Sequence, residues 1–519
     1  MAMFINPRRR ITVIIVALGL GLTYLLLINY QTTPVLDISP GSIRQQQSKS
    51  TKKVQPIPVY YPKPFETHQP TPDEKYIAYL PHSGFHNQRI ELENALLLAA
   101  YLNRTLLLPP VFLGNPAMPW LRFEKLYERL LLQTKRGLEH CIELKDDDPF
   151  PSECLNYFTW TSVPWSFFYD MKEIERYVRI VYRDDLSLDW VHSTLNVSSD
   201  DVHLIKDTSA YEFRVFDDPN SPTGLAKYVH RIDVSDLLAI EEPVLHFSSV
   251  FGTYRVLAQT PEHAELLRHF RTHMIFRNPV LVDTAKRIVD RLGGIEQFVG
   301  LHIRVGDGLF KVRATINIDN IFHQLVDEFT DLDLDQVKTF DPQHDLDRME
   351  NTEYEVKQLR EFQTIADKPK PIAVSHPAEI KQRLGNRPPG LQSQLSCGES
   401  NEVTRHFCKT VVYIATDCPN PRKHPLLQKI FKLFPCTFVL DDFLDELDDL
   451  RRVEVVEEKV RLESYLIPMV DAMISAQGHT FIGTSDSTFT SYIERQLHPV
   501  YRHKEVKLMK GSKPAQPPV

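Results

Sequence analysis

The chain is 519 residues long, 42% apolar and 25% charged, which is enough to bury a large core and to form more than one domain. A net charge of −8 and a pI near 6.2 exclude a general electrostatic pull toward nucleic acid, so no nucleic-acid partner is expected. Function has to be argued from local sites.

Arg8, Arg9 and Arg10 precede Ile11–Ile28, eighteen residues without a charge. As a helix this segment is about 27 Å long, enough for a thin bilayer. The arginines stay cytosolic under the positive-inside rule, so residues 1–10 are expected as a cytosolic tail and the bulk of the chain as luminal, behind a single-pass type II anchor at 11–28. A cleaved signal peptide is the rival, but its apolar core is usually shorter, and no small-residue cleavage site stands among Asn29, Tyr30 and Gln31. Residues 29–74 read as a disordered stem, with eight prolines from 31 to 74 and the basic run Lys49 to Lys53.

Tyr76 to Leu80 reads as a short strand, and Ile90 to Leu102 as a helix with Leu92, Ala95, Leu96, Ala99 and Leu102 on one face. Thr105 to Leu108 follows as a strand stopped by Pro109 and Pro110, which completes a βαβ unit. Tyr157 to Tyr169 is aromatic-rich without a clear pattern. Leu245 to Phe251 reads as a strand, and helical periodicity runs from Pro261 to Leu292. Phe298 to Asp307, FVGLHIRVGD, is a buried strand that delivers His302 and Arg304 toward its carboxyl end, where Gly306 and Asp307 suit a sharp turn. Asn317 to Gln394, acidic early and proline-rich late, reads as a helical excursion followed by a mobile loop. Val411 to Ala415 and Thr437 to Leu440 are further strands, and Leu462 to Gln477 is a helix leading into Phe481-Ile482-Gly483.

This alternation predicts an α/β fold with two Rossmann-like domains facing a cleft, preceded by the membrane helix and the proline-rich stem. The expected boundaries are 75–290 for an acceptor-side domain, 291–505 for a nucleotide-sugar domain with an insertion at about 317–394, and 506–519 for a basic disordered tail.

Six cysteines, Cys141, Cys154, Cys397, Cys408, Cys418 and Cys436, fit an oxidising lumen. The nearest-neighbour pairing, 141 with 154, 397 with 408 and 418 with 436, is the simplest, although sequence leaves the connectivity open. Asn196-Val197-Ser198 and Asn103-Arg104-Thr105 are glycosylation sequons, the second set among apolar neighbours. No Cys/His spacing suggests a zinc site, and no metal is expected.

Ligands in an open α/β sheet sit beyond the carboxyl ends of strands. An arginine delivered there can grip a phosphate with two donors at once and stays charged at any physiological pH. The bland alternative for Arg304 is an ion pair with Asp307 across the turn. Two further segments stand where ligands are expected. In Pro81 to Arg89, Ser83-Gly84 permits close backbone approach at a helix start. In Phe481 to Ile493, a run of hydroxyls begins another helix, and ordinary N-capping accounts for one or two of them.

The ordered blocks SGFHNQR, LNRTLLLPP, LHIRVGD, VYIATD and FIGTSDSTFTSYIER resemble the GDP-fucose protein O-fucosyltransferases over residues 75 to about 500. That resemblance implies a two-Rossmann GT-B architecture in the Golgi or ER lumen. It also implies inverting transfer of fucose from GDP-fucose to a protein or glycan hydroxyl, with no metal and no cofactor beyond the donor. By the same resemblance Arg304 would hold the diphosphate, and His302, Gly306 and Asp307 would shape the nucleotide pocket. Ser83, Gly84 and Phe85 would line the substrate, with Asn87 close to the reacting sugar. Asp417 falls at the nucleotide-side ATD position, and Ser487, Thr488 and Phe489 form the STF segment lining the donor. Where part of the family places a glutamate as general base, this chain has Ser83 flanked by His82 and His86, which leaves a histidine, His86 first, or no base at all.

Two rivals stand beside this expectation. Asp331-Leu332-Asp333-Leu334-Asp335 contains a DxD string of the kind that holds a divalent metal, although a solvated acidic face explains it as well. A membrane-tethered glycan- or protein-binding module on the same fold is the other.

Overall fold

The structure, a computed structural model, describes residues 55–114, 119–144, 151–306, 308–330, 332, 395–398 and 410–508. These form a large unit, residues 55–142 with 156–508, and a short one within 143–155 that holds the turn Ser152–Cys154. The expected anchor, and the acidic run apart from Leu332, lie outside the described residues. No helix among the described residues is long and apolar enough to cross a membrane.

Two larger parallel sheets organise the large unit among the described residues. Strand β1 (Tyr76–Ala78) leads through Ser83-Gly84 into helix α1 (Phe85–Tyr101), and β2 (Thr105–Leu108) returns parallel to β1 with Thr105 opposite Tyr76. After α2 (Met171–Glu175), strands β3 (Ile180–Tyr182), β4 (Val202–Ile205) and β5 (Val244–Phe247) complete an all-parallel sheet in the order β3-β2-β1-β5-β4. The helix begins at Phe85, before the expected Ile90, because Gly84 carbonyl already accepts from Asn87 and Gln88 N–H. Its expected apolar stripe is only part of what it buries: every residue from Gln88 to Ala99 is inside. The charges there are matched, for Glu93 takes both Nε and Nη2 of Arg271 at 2.8 and 2.7 Å.

The single helical run expected from Pro261 to Leu292 is two helices, α3 (Pro261–His273) and α4 (Pro279–Arg291). Pro279 has no N–H to continue a helix and disfavours helical geometry at Asn278, whose Oδ1 instead accepts from Val280 N–H at 3.0 Å and caps α4. The aromatic stretch without a pattern contains Trp160–Val163, which pairs antiparallel with Val111–Gly114.

The second sheet begins with β6 (Val299–Ile303). Helix α5 (Ala314–Phe329), β7 (Val412–Thr416), β8 (Thr437–Val439), α6 (Glu463–Ala476) and β9 (Thr480–Gly483) follow, and the parallel order is β8-β7-β6-β9. Alternation decides how β6 packs. Val299, Leu301 and Ile303 share a core with Ile318, Phe322 and Leu325 of α5, each such side chain contributing about 1.5–3 kcal/mol on burial. Gly300 lies against α6, where an added Cβ would sit 2.0 Å from the Ser475 carbonyl oxygen. Only glycine admits so close a helix. The same serine donates from Oγ to the Leu301 carbonyl at 3.1 Å.

Cysteine pairing departs from the nearest-neighbour expectation. Cys397 is bonded to Cys436, Cα to Cα 4.5 Å, and Cys418 is free and buried, so the pairs 397 with 408 and 418 with 436 do not form. Gly398 N–H donates to the Pro435 carbonyl at 2.8 Å, which lays the two segments side by side regardless of their separation in sequence. Cys141 and Cys154 are both disulfide-bonded, and Cys408 lies outside the described residues. Both sequon asparagines are exposed, but Asn103 Oδ1 is held by Arg179 Nη1 at 3.0 Å and Thr105 is wholly buried.

Candidate active site

Arg304 stands just past the carboxyl end of β6, in a loop fixed by the strands on either side. Its own N–H donates to Thr484 Oγ1, beyond β9, at 3.0 Å. Val305 and Gly306 N–H donate to the two carboxylate oxygens of Asp417, beyond β7, at 2.8 and 3.1 Å. A Cβ on Gly306 would lie 2.8 Å from Asp417 Oδ2, so glycine is what lets the carboxylate close on the loop. The Arg304 guanidinium lies 4.5 Å over the Phe310 ring with Nε 3.8 Å from Asp417 Oδ2, and 29% of the side chain faces solvent. Asp307 lies outside the described residues; Asp417 is the acid this geometry sets beside Arg304.

His302 lies on the face of β6 opposite Val299, Leu301 and Ile303. Its Nδ1 is 2.6 Å from Thr490 Oγ1, and its ring stacks on Phe489 at 4.4 Å with a 26° tilt. Burial, aided by the Arg304 charge, pulls its pKa down to about 3, so the ring is neutral. The hydroxyl run is largely spent inside the protein. Ser487 Oγ caps helix α7 (Thr488–Tyr492) by accepting from Thr490 N–H, Thr490 serves His302, and Thr484 serves the Arg304 loop. Ser487, expected to line a ligand, is 2% exposed and acts as a cap, whereas Thr488 and Phe489 remain partly exposed.

The Ser83–Asn87 turn meets this cluster from the other sheet, because α1 packs against α7. His86 sits 4.7 Å from the Phe489 ring and 5.1 Å from Tyr492. Phe489 therefore meets both His302 and His86. Both His86 nitrogens and Asn87 Oδ1 are buried with no hydrogen-bond partner among the described residues. Burial holds the His86 pKa well below 6.5, and the charges of Arg89 and Arg304 add to the effect.

The rest of the turn does other work. His82, an alternative base on sequence grounds, is 1% exposed; its Nε2 meets Ser249 Oγ at 2.9 Å and Glu91 at 3.2 Å, and burial takes its pKa to about 3. That network ties His82 into the core. Ser83 adopts a left-handed φ of 67°, and its Oγ is 2.7 Å from His82 Nδ1. Phe85, partly buried, packs into Trp165, Phe168 and Phe276 and holds the helix start. Gly84 is exposed at the helix N-terminus.

Four residues escaped the sequence argument: Thr484 and Thr490, which tie the loop and His302; Phe310 beneath Arg304; and Arg89, whose guanidinium lies 4.7 Å over Tyr492. Arg89 and both threonines stand inside the quoted blocks, so position in a block was their only signal. A groove of about 590 Å³ that includes Tyr60, Glu66, Lys172 and Glu175 contains none of the residues gathered around Arg304.

The parallel sheets define an α/β protein, with Arg304 fixed beyond the carboxyl end of a central strand, where ligands of such sheets bind. The model of the GDP-fucose protein O-fucosyltransferase family matches residues 150–499, and the chain belongs to that family. The matched span includes Arg304, Asp417 and the STF segment and begins after Ser83–Arg89. O-fucosyltransferase 30 of Arabidopsis thaliana is 58% identical over 38 residues, which cover 7% of this chain and 8% of that protein. A structure of POFUT1 with GDP-fucose is similar at 13% identity and a TM-score of 0.33, covering 84% of this chain and 98% of the other. A structure of POFUT1 with GDP gives 12%, 0.34, 84% and 98%.

Proposed function

We propose that the chain transfers fucose from GDP-fucose to a hydroxyl of a protein or glycan. The observation that carries this is the convergence on Phe489: the His302 and His86 rings both pack against it, and Arg304 stands two residues past His302. Family membership supplies the donor.

On this proposal Arg304 pairs with the diphosphate and stabilises the charge that grows on it as the sugar bond breaks, an effect typically worth about 10²–10³ in rate. The acceptor oxygen attacks the anomeric carbon from the opposite face, so the configuration inverts and GDP leaves. His86 is the group beside this chemistry able to accept a proton, being neutral and unpartnered. Its depressed pKa makes it a weak base while the site is empty of anions. A diphosphate beside Arg304 offsets that positive charge and raises it.

Metal-free transfer, a GT-B arrangement of the two halves divided near residue 290, a type II anchor at 11–28 and residence in the Golgi or ER are parts of the same proposal. So is glycan attachment, for which Asn196, exposed at the end of a helix, suits better than Asn103. The test is a screen of sugar nucleotides with the purified protein, with and without EDTA. Turnover of GDP-fucose that survives EDTA is the expected outcome. Turnover of a different sugar nucleotide alone removes the donor assignment, and loss of turnover in EDTA removes the metal-free mechanism.

A further inference from the structure

Apart from Arg304 and its neighbours, α2 and α3 bring together three side chains of metal-ligand type. His269 and His273 stand four apart on α3, hence on one face, with ring centroids 4.3 Å apart, and Glu173 reaches them from α2. One ligand atom of each lies within 4.8 Å of the others. All three are half-buried, while Leu267 and Phe270 of α3 are buried in the core.

The hydrogen bonds set the rings up for coordination. His269 Nε2 meets the Glu173 carbonyl at 2.9 Å and His273 Nδ1 meets the His269 carbonyl at 2.8 Å, so each ring gives one N–H to the backbone. That leaves His269 Nδ1 and His273 Nε2 with lone pairs, the way backbone carbonyls orient metal-bound imidazoles. Two imidazoles and a carboxylate suit zinc and similar ions.

We propose that Glu173, His269 and His273 bind a divalent transition ion, zinc by preference, and staple α2 to α3. A tetrahedral ion at about 2.0–2.1 Å holds its ligands roughly 3.3 Å apart, so the ligand atoms draw together on binding. Glu173 also pairs with Arg176 at 2.9 Å, but the Arg176 side chain is 68% exposed and yields at little cost. This site is separate from the transfer proposal and survives its failure.

The test titrates ZnCl₂ into the chelator-stripped full chain by calorimetry, alongside thermal melts. One saturable equivalent is expected, weakened about tenfold or more in the His269→Ala/His273→Ala double variant, with zinc raising the melting temperature of the wild type alone. If the double variant does not fold, Glu173→Gln replaces it with the same expectation. Absence of a saturable equivalent, or equal zinc affinity in wild type and variants, overturns the site.

Discussion

The two walls of the site are built differently. At the end of β6 the main-chain donors of Arg304, Val305 and Gly306 all have partners, supplied by the loops after β7 and β9. At the start of α1, His82, Ser83 and Phe85 are tied into the core, whereas His86 and Asn87 keep buried polar atoms without partners. Each such atom costs about 1–3 kcal/mol. One wall is therefore organised in advance and the other is left to be completed by a ligand, a division that suits a rigid diphosphate grip facing the reacting sugar.

The largest effect should come from the organised wall. Arg304→Ala is expected to lower the transfer rate about 10²–10³-fold with little change in melting temperature, because the side chain is partly in solvent and stands in a loop past the end of β6. A parallel fall in melting temperature would mean that the arginine supports the fold. Asp417→Ala releases the N–H groups of Val305 and Gly306 and should weaken GDP affinity about tenfold to a hundredfold, read as a higher donor KM with the acceptor KM unmoved.

A pH experiment sharpens the comparison further. His302 has a folded pKa of about 3 against an ordinary 6.5, so between those values the unfolded chain binds more protons and stability falls as pH falls. The contribution approaches about 1.4 kcal/mol per pH unit. Asp471, raised to about 7, and Asp207, raised to about 6, act in the opposite sense over part of that window. The quantity to measure is therefore the wild type minus His302→Gln difference in urea unfolding between pH 6.5 and 4.5. It should shift against the wild type as pH drops; a difference independent of pH refutes the buried neutral ring.

The smallest effect belongs to the waiting wall. His86→Phe removes two unpartnered nitrogens beside Phe489 and Tyr492 and should raise stability by about 1 kcal/mol while lowering transfer. A stabilised variant with full activity would show that His86 takes no part.

Much of the second sheet was legible in the sequence, because alternation in Val299, Leu301 and Ile303 is a local signal that the packing respects. The helix at Glu463–Ala476 was equally plain, even with Pro468 inside it. What sequence did not show was pairing across distance. The Cys397–Cys436 bond, the His82–Glu91–Ser249 network and the use of Thr490 by His302 each join segments whose approach only the fold decides. The same limit explains why His82 and His86 looked interchangeable. Four residues apart in one turn, they point into a hydrogen-bonded core and an unpartnered aromatic pocket respectively.

The central claim is that Arg304 grips a diphosphate, and titrating GDP and guanosine separately into the wild type and Arg304→Ala tests it most directly. The account predicts that the wild type binds GDP far more tightly than guanosine and that Arg304→Ala loses most of that difference while still binding guanosine as before. Equal GDP affinity in the two proteins would contradict it.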